Sequence, residues 1–175
     1  MRTLMLLFAS LALVAVACND NSGGENELPN GIEPIISTDK AGEVGEADKE
    51  LIAFFEKYLP PNFSLYDSEY FFVEDEDNRC LMINSMDELK AIMYSPIELP
   101  DIDFDKYTLV MGQYIAPGTA YRIIEQSITV NPEEIILNLS IEEPDGTYAV
   151  LSPLYYWGLY PKIPQKTITV NLIVK

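Results

Sequence analysis

Apolar positions recur first at helical spacing and later at strand spacing along this chain. Ala47, Leu51, Phe54, Phe55 and Tyr58 fall on one stripe of a 3.6-residue period, which predicts an amphipathic helix. Glu46, Asp48 and Glu50 place negative charge at its start, Lys57 lies near its end, and Pro60-Pro61 stops it. Glu69 to Glu74 and Arg79 to Ile83 read as two strands of a hairpin, with polar Asp75-Glu76-Asp77-Asn78 between them. Ser85 followed by Glu88 is a capping box that opens a short helix to about Met93, and Pro96 and Pro100 end it.

From Tyr107 onward the period changes. Tyr107 to Ile115, Tyr121 to Val130, Glu134 to Ile141, Tyr148 to Trp157 and Lys166 to Val174 are all β-like runs. Their connectors, Ala116-Pro117-Gly118-Thr119, Asn131-Pro132, Pro144-Asp145-Gly146 and Pro161-Lys162-Ile163-Pro164, carry turn chemistry. Short connections favour antiparallel pairing. The expectation is a single α+β domain over residues 46–175, mainly an antiparallel sheet, with one or two helices near its start.

The N-terminal pattern is of another kind. Leu4 to Ala17 is apolar apart from Ser10, Arg2 supplies a positive start, and Ala15 and Ala17 stand just before Cys18. This reads as a secretory signal over residues 1–17, too short to span a bilayer. A cysteine at the cut is the mark of a bacterial lipoprotein. Cys18 would then carry diacylglycerol, with acyl chains such as palmitate holding the protein to the cell envelope, in a Gram-negative-type cell to the outer membrane. Residues 18–45 are rich in Gly, Asn and acids, with little apolar periodicity, and read as a flexible acidic tether.

Charge narrows the partners. Of 175 residues, 28 are acidic and 11 basic; losing Arg2 with the leader takes the net charge from −17 to −18. Nucleic-acid binding, which relies on clustered Lys and Arg against phosphates, is disfavoured. So is adhesion to anionic lipid through a basic face, leaving the acyl anchor as the membrane contact, at about 0.8 kcal/mol per buried methylene. The chain contains no histidine, which removes the usual Ser-His-Asp and Cys-His machinery and every His-containing zinc site. With Cys18 lipidated, Cys80 has no intramolecular disulfide partner; in the apolar run Arg79-Cys80-Leu81-Met82-Ile83 it reads as a buried thiol. A non-enzyme without metal or cofactor is expected.

Three stretches in order carry a resemblance: Ile102-Asp103-Phe104-Asp105 before Tyr107-Thr108-Leu109-Val110-Met111-Gly112; Ala116-Pro117-Gly118-Thr119-Ala120-Tyr121 before Arg122-Ile123-Ile124; and Leu151-Ser152-Pro153-Leu154-Tyr155 before Trp157 and Tyr160-Pro161-Lys162. Together they resemble the C-terminal domain of the protease complex subunit PrcB family, over about residues 101–162. Ala120 stands where that family usually has glycine, a position that suits a positive φ. The resemblance implies a non-catalytic accessory lipoprotein, associated with a surface protease complex or a related assembly.

Several constellations are candidate sites. Pro117, Gly118 and Thr119 with Tyr121 and Arg122 form a loop displayed between strands, and recognition commonly resides on such loops. A protein partner is expected there. Tyr155, Trp157 and Tyr160 form the densest aromatic group and could stack on a sugar, although packing explains aromatic residues in a strand equally well. Asp101, Asp103 and Asp105 alternate, but Lys106 and Gly112 stand where a calcium loop requires Gly and Glu. Protein interaction is thus the leading expectation, glycan or small-ligand binding the alternative, and a carboxylate hydrolase the remainder. An exposed apolar patch near Pro117 would favour the first.

Overall fold

The computed structural model describes residues 31–39, 46–59, 70–71, 78–146 and 149–175. Its elements are β1 (Ile36–Ser37), α1 (Glu46–Tyr58), β2 (Arg79–Ile83), α2 (Met86–Ala91), β3 (Tyr107–Ala116), β4 (Arg122–Val130), β5 (Glu134–Glu142), β6 (Ser152–Pro161) and β7 (Thr167–Val174). The fold is α+β and mainly β, as the change of period implies. Cys18, the leader, most of the first hairpin strand and Asp75 to Asp77 lie outside the described residues.

Two sheets form. One is four-stranded and antiparallel, ordered β1-β6-β3-β2; the other is three-stranded, ordered β4-β5-β7. β3 and β6 pair over their full length, from Tyr107 opposite Pro161 to Ala116 opposite Ser152. β4 and β5 are antiparallel, with an irregularity between Ile123 and Glu125. β7 departs from the antiparallel expectation and runs parallel to β5. The physical reason is that β5 and β7 are not consecutive: β6 intervenes in the other sheet, so no short turn dictates their direction.

The larger sheet is buried on both faces, because strand side chains alternate and each face has its own cover. Leu81, Ile83, Leu109, Met111, Tyr155, Trp157 and Leu159 pack toward Leu51, Phe54, Phe55 and Leu89 of the helices. Met82, Val110, Leu154, Tyr156 and Tyr160 pack toward Ile123, Ile128, Ile135, Leu137, Leu139 and Ile141 of the smaller sheet. The layers are therefore helices, four-stranded sheet, three-stranded sheet. The α1 stripe meets this arrangement as its spacing predicts: Phe55 is fully buried and stacks on Trp157, ring centres 4.4 Å apart, while Tyr58 is half-buried and meets Phe54 and Tyr70.

At α2, Ser85 caps the helix by accepting from the Glu88 N–H at 3.2 Å. The Glu88 carboxylate reaches back one residue further than a standard capping box, accepting from the Asn84 N–H at 2.6 Å. The helix stops at Ala91, short of the expected Met93.

The tether expectation, residues 18–45, needs correction over residues 31–39; residues 18–30 and 40–45 lie outside the described residues. Ile36 pairs with Leu159 and Ser37 with Gly158, and Ile32 bridges Ile128. Ile36 is buried, and the Thr38 hydroxyl accepts from the Trp157 N–H at 2.9 Å. The folded region thus includes residues 31–39. The reason lies in β6, whose backbone would otherwise leave unpaired groups beside a buried face; the short run Pro34-Ile35-Ile36 supplies the cover.

Gly112 shows how closely neighbouring groups of β2, β3 and β6 approach within the larger sheet. A side chain there would come within 2.1 Å of the Arg79 carbonyl and 2.4 Å of the Tyr156 hydroxyl. The Tyr156 ring lies over this glycine from the opposite strand, and its hydroxyl donates to that same carbonyl at 2.8 Å. Burial holds the Tyr156 phenol well above its ordinary ionisation range.

Candidate functional site

Two crossings from one sheet toward the other gather at one end of the layers, opposite the crossing from β6 to β7 at residues 162–166. Residues 117–121 carry the chain from the end of β3 to the start of β4, and residues 143–151 lead from the end of β5 to the start of β6. Because Ala116 faces Ser152 across the β3–β6 ladder, Pro117 and Leu151 are the next positions beyond a shared strand end.

The first loop turns at Ala120, whose φ of 64° is the left-handed conformation that glycine adopts more cheaply. The residue after it anchors the turn. Tyr121 is buried to 6% exposure in the layer between the sheets, and its hydroxyl donates to Glu143 Oε1 at 2.8 Å. The hydrogen bond to that carboxylate, with burial, raises the phenol above its ordinary pKa. One tyrosine thus ties the two crossings together.

Arg122, directly opposite Glu142 on β5, forms an ion pair with it, and both side chains are substantially exposed. Such a pair contributes little to stability, but it occupies the guanidinium. The five residues read from sequence as one recognition site are therefore divided. Pro117 is exposed and Thr119 half-buried; Gly118 and Tyr121 are buried, and Arg122 is exposed but paired. The expectation of Tyr121 as a contact residue is corrected: its ring fills the core because, one residue before β4, it continues the inward-facing row of Ile123.

What the loop has beside it is apolar. Leu151 is 74% exposed and Val150 45%, with Ala149, Ala120 and Pro117 also exposed. Leu151 is the most exposed of the large apolar side chains among the described residues. The sequence reading missed it by starting the strand at Tyr148; the strand starts at Ser152, which leaves Val150 and Leu151 outside the ladder. The available signal was Pro153, since proline is tolerated at a strand's beginning.

The aromatic group does not offer a stacking platform. Tyr155, Trp157 and Tyr160 are 1%, 2% and 0% exposed. The reason is that β6 is covered on both faces, so neither alternate row reaches solvent. Tyr160 instead donates to Gln126 Oε1 at 3.0 Å, while Gln126 Nε2 donates to Asp39 Oδ1 at 2.7 Å and to the Trp157 carbonyl at 3.1 Å. This buried amide is well supplied with partners, as buried polar groups must be.

Cys80 lies at the border of a cleft between β2 and β7, and burial pushes its thiol up to about 11. A thiol so shifted is almost wholly protonated near neutrality and a poor nucleophile. Among the acids, Asp103 pairs with Lys106 at 2.7 Å, and the hydrogen bond from that lysine lowers its pKa. It also accepts from the Asp105 N–H at 3.2 Å, closing a turn instead of projecting beside Asp101 and Asp105 from an extended segment. Asn78, the described end of the acidic hairpin tip, accepts from the Ile115 N–H at 2.7 Å. Among the described residues no group of three or more acids or cysteines is placed to hold a metal ion.

A second concavity lies at the helix side. It encloses about 710 Å³ and is bordered by Met86, Met93, Tyr94, Ile97 and Leu99, with Lys90 and Asp101 as its charged members. Its volume falls in the range of small-molecule pockets, roughly 300–1,000 Å³. Comparison with family models, with curated proteins and with solved structures found no match.

Proposed function

We propose that this chain is a lipid-anchored envelope protein, held by Cys18, whose folded domain is a non-catalytic protein-binding module. The observation that carries the reading is the apolar patch of Pro117, Val150 and Leu151 at the end of the layers. Soluble surfaces tolerate scattered apolar residues, but neighbouring ones on a loop pair are characteristic of contact sites. The Tyr121–Glu143 bond supports it further: a loop already tied down loses little conformational freedom on binding. The acidic segment after Cys18 suits a module that reaches away from a membrane. The resemblance of residues 101–162 to the PrcB-type domain agrees with an accessory role in a protease complex, by analogy only.

The test is capture of neighbours by cross-linking in intact cells, comparing wild type with a Leu151→Glu, Val150→Glu variant. The expected result is at least about tenfold less of a specific partner, equivalent to ~1.4 kcal/mol, with the melting temperature unchanged. Equal capture by both would refute the patch. Cys18→Ala should abolish labelling with a clickable fatty acid, and equal labelling would refute the anchor.

The helix-side concavity favours a second reading, a small-ligand-binding lipoprotein. Lys90 and Asp101 at an apolar wall would orient an amphipathic molecule. A Met93→Trp substitution, which fills that space, should leave partner capture intact under the first reading and abolish ligand retention under the second.

A further inference from the structure

Residues 92–106, fifteen in number, join α2 to β3 without a helix or strand. Connections longer than about 12 residues are uncommon in folded domains and are usually functional. Ser95 and Leu99 each precede a proline, which holds them extended, and no turn interrupts the run from Pro96 to Asp101. Along it Pro96 and Glu98 are exposed while Ile97 and Leu99 are half-buried, the alternation of a strand with one covered face. That face forms one wall of the helix-side concavity of about 710 Å³. The facing wall is α2, through Met86 and Lys90, four residues apart on one helix face.

This trough holds polar groups that are not used within the described chain. Lys90 and Asp101 are both exposed, and neither forms an ion pair with another described residue. The backbone of residues 95–101 makes no hydrogen bond to the backbone of another described residue. Pro96 and Pro100 lack an N–H on one edge of the extended run, whereas Ile97, Leu99 and Asp101 keep donor and acceptor on the other. The two charges stand at opposite ends. Lys90 lies where the run begins, since its carbonyl accepts from the Met93 N–H at 3.2 Å, and Asp101 lies where it finishes. At about 3.3 Å per residue, the distance from Pro96 to Asp101 is roughly 17 Å.

We propose that the trough binds a short apolar peptide with free ends, laid antiparallel along residues 96–101, its carboxylate at Lys90 and its ammonium at Asp101. The proposal rests on the helix-side concavity being a ligand site. A peptide of about five residues matches the run in length. Its main chain would pair with Ile97, Leu99 and Asp101, and its alternate side chains would enter beside Met86 and Met93. Methionine adapts to side chains of differing shape. The separation of the charges decides the class of ligand. A fatty acid would satisfy Lys90 alone and bring nothing to Asp101. A zwitterionic lipid carries both charges in one headgroup, too close together to meet both residues. A zwitterionic peptide is also neutral overall, so a chain of net charge −17 does not repel it.

The test titrates the full chain with the synthetic pentapeptide Leu-Ala-Leu-Ala-Leu, followed residue by residue by NMR, with decanoate as the rival probe. Peptide should slow amide exchange at Ile97, Leu99 and Asp101 about tenfold or more and leave Glu98 unchanged. Amidating the peptide's C-terminus should weaken binding about tenfold, the scale of one charge-assisted hydrogen bond. Lys90→Gln should do the same, and the two changes together should cost no more than either alone. N-acetylated peptide and Asp101→Asn should behave as a second such pair. Both substitutions fall at exposed positions and should leave the melting temperature unchanged. The proposal is overturned if free and blocked peptides bind alike, or if neither substitution changes affinity. Binding of decanoate without binding of peptide would assign the trough to a lipid-like acid, overturning the proposal while sparing the small-ligand reading. Binding of neither probe would sink both.

Discussion

β6 and β7 read much alike as sequences, and the structure treats them in opposite ways. Both are apolar, nearly uncharged runs of eight to ten residues. Ser152 to Tyr160 is buried almost throughout, while β7 contains no fully buried residue. The difference is position. β6 lies between β1 and β3 with a layer on each face, whereas among the described residues β7 has one strand beside it and one partly covered face. Composition shows that a strand is apolar; only the packing order shows how many of its rows are inside.

The sharpest way to break the comparison is to truncate one side chain in each strand. Trp157→Ala removes the ring on which Phe55 stacks and should cost about 3–5 kcal/mol, read as a lowered denaturant midpoint. Val170→Thr, at 41% exposure, should stay within about 0.5 kcal/mol of wild type. Similar losses at both positions would mean that the two strands do not differ in burial.

A second contrast uses added bulk instead of removed bulk. Gly112→Ala forces a methyl group against the Arg79 carbonyl and the Tyr156 ring, and should cost about 1–3 kcal/mol. Thr169→Val, on the exposed row of β7, should cost nothing measurable. A neutral Gly112→Ala would mean that β2 and β3 can separate at that point.

How far these features were legible beforehand follows the same logic of rows and neighbours. The α1 stripe was readable because Leu51, Phe54 and Phe55 fall on one helical face, and a helix needs only one buried face. The strands of the second half were readable from their connectors. β1 was not, since Ile36-Ser37 is too short to show any period, and only pairing with the edge of β6 makes it a strand. The parallel direction of β7 was equally hidden, being set by which strands become neighbours. Of the candidate site, the Pro117 loop was visible through its turn residues. Its division into buried Tyr121 and paired Arg122 was not, because these depend on Glu143 and Glu142, 22 and 20 residues away and brought close by the β4–β5 register.

Cys80 sharpens the comparison through pH, since it lies between the buried and the open strands. Its thiol rises from an ordinary 9.0 to about 11 in the folded chain. Below pH 9 the group is protonated in both states and adds no pH dependence. Between about 9 and 11 the unfolded chain releases the proton and the folded chain retains it, so stability falls as pH rises, by at most ~1.4 kcal/mol per pH unit. Cys80→Ala should remove that part of the decline, measured as the difference between two pH–stability curves. Parallel curves would show that solvent enters the cleft freely.

The smallest effect should come from the crossing between the sheets, at Ala120. Its φ of 64° crowds Cβ against the following carbonyl, a strain of about 1–2 kcal/mol in the left-handed helical region. Glycine would relieve it but would also add freedom to the unfolded chain, which offsets part of the gain. Ala120→Gly should therefore stabilise by about 0.5–1 kcal/mol, whereas most substitutions destabilise. The turn is held from outside by Tyr121 and Glu143, so a Tyr121→Phe background should reduce the benefit of glycine, because Ala120 can then relax out of the strained conformation. A double-mutant cycle in denaturant measures that coupling directly. If glycine destabilises in both backgrounds, the loop does not hold Ala120 in this conformation, and Pro117 and Leu151 are not presented side by side as a fixed surface.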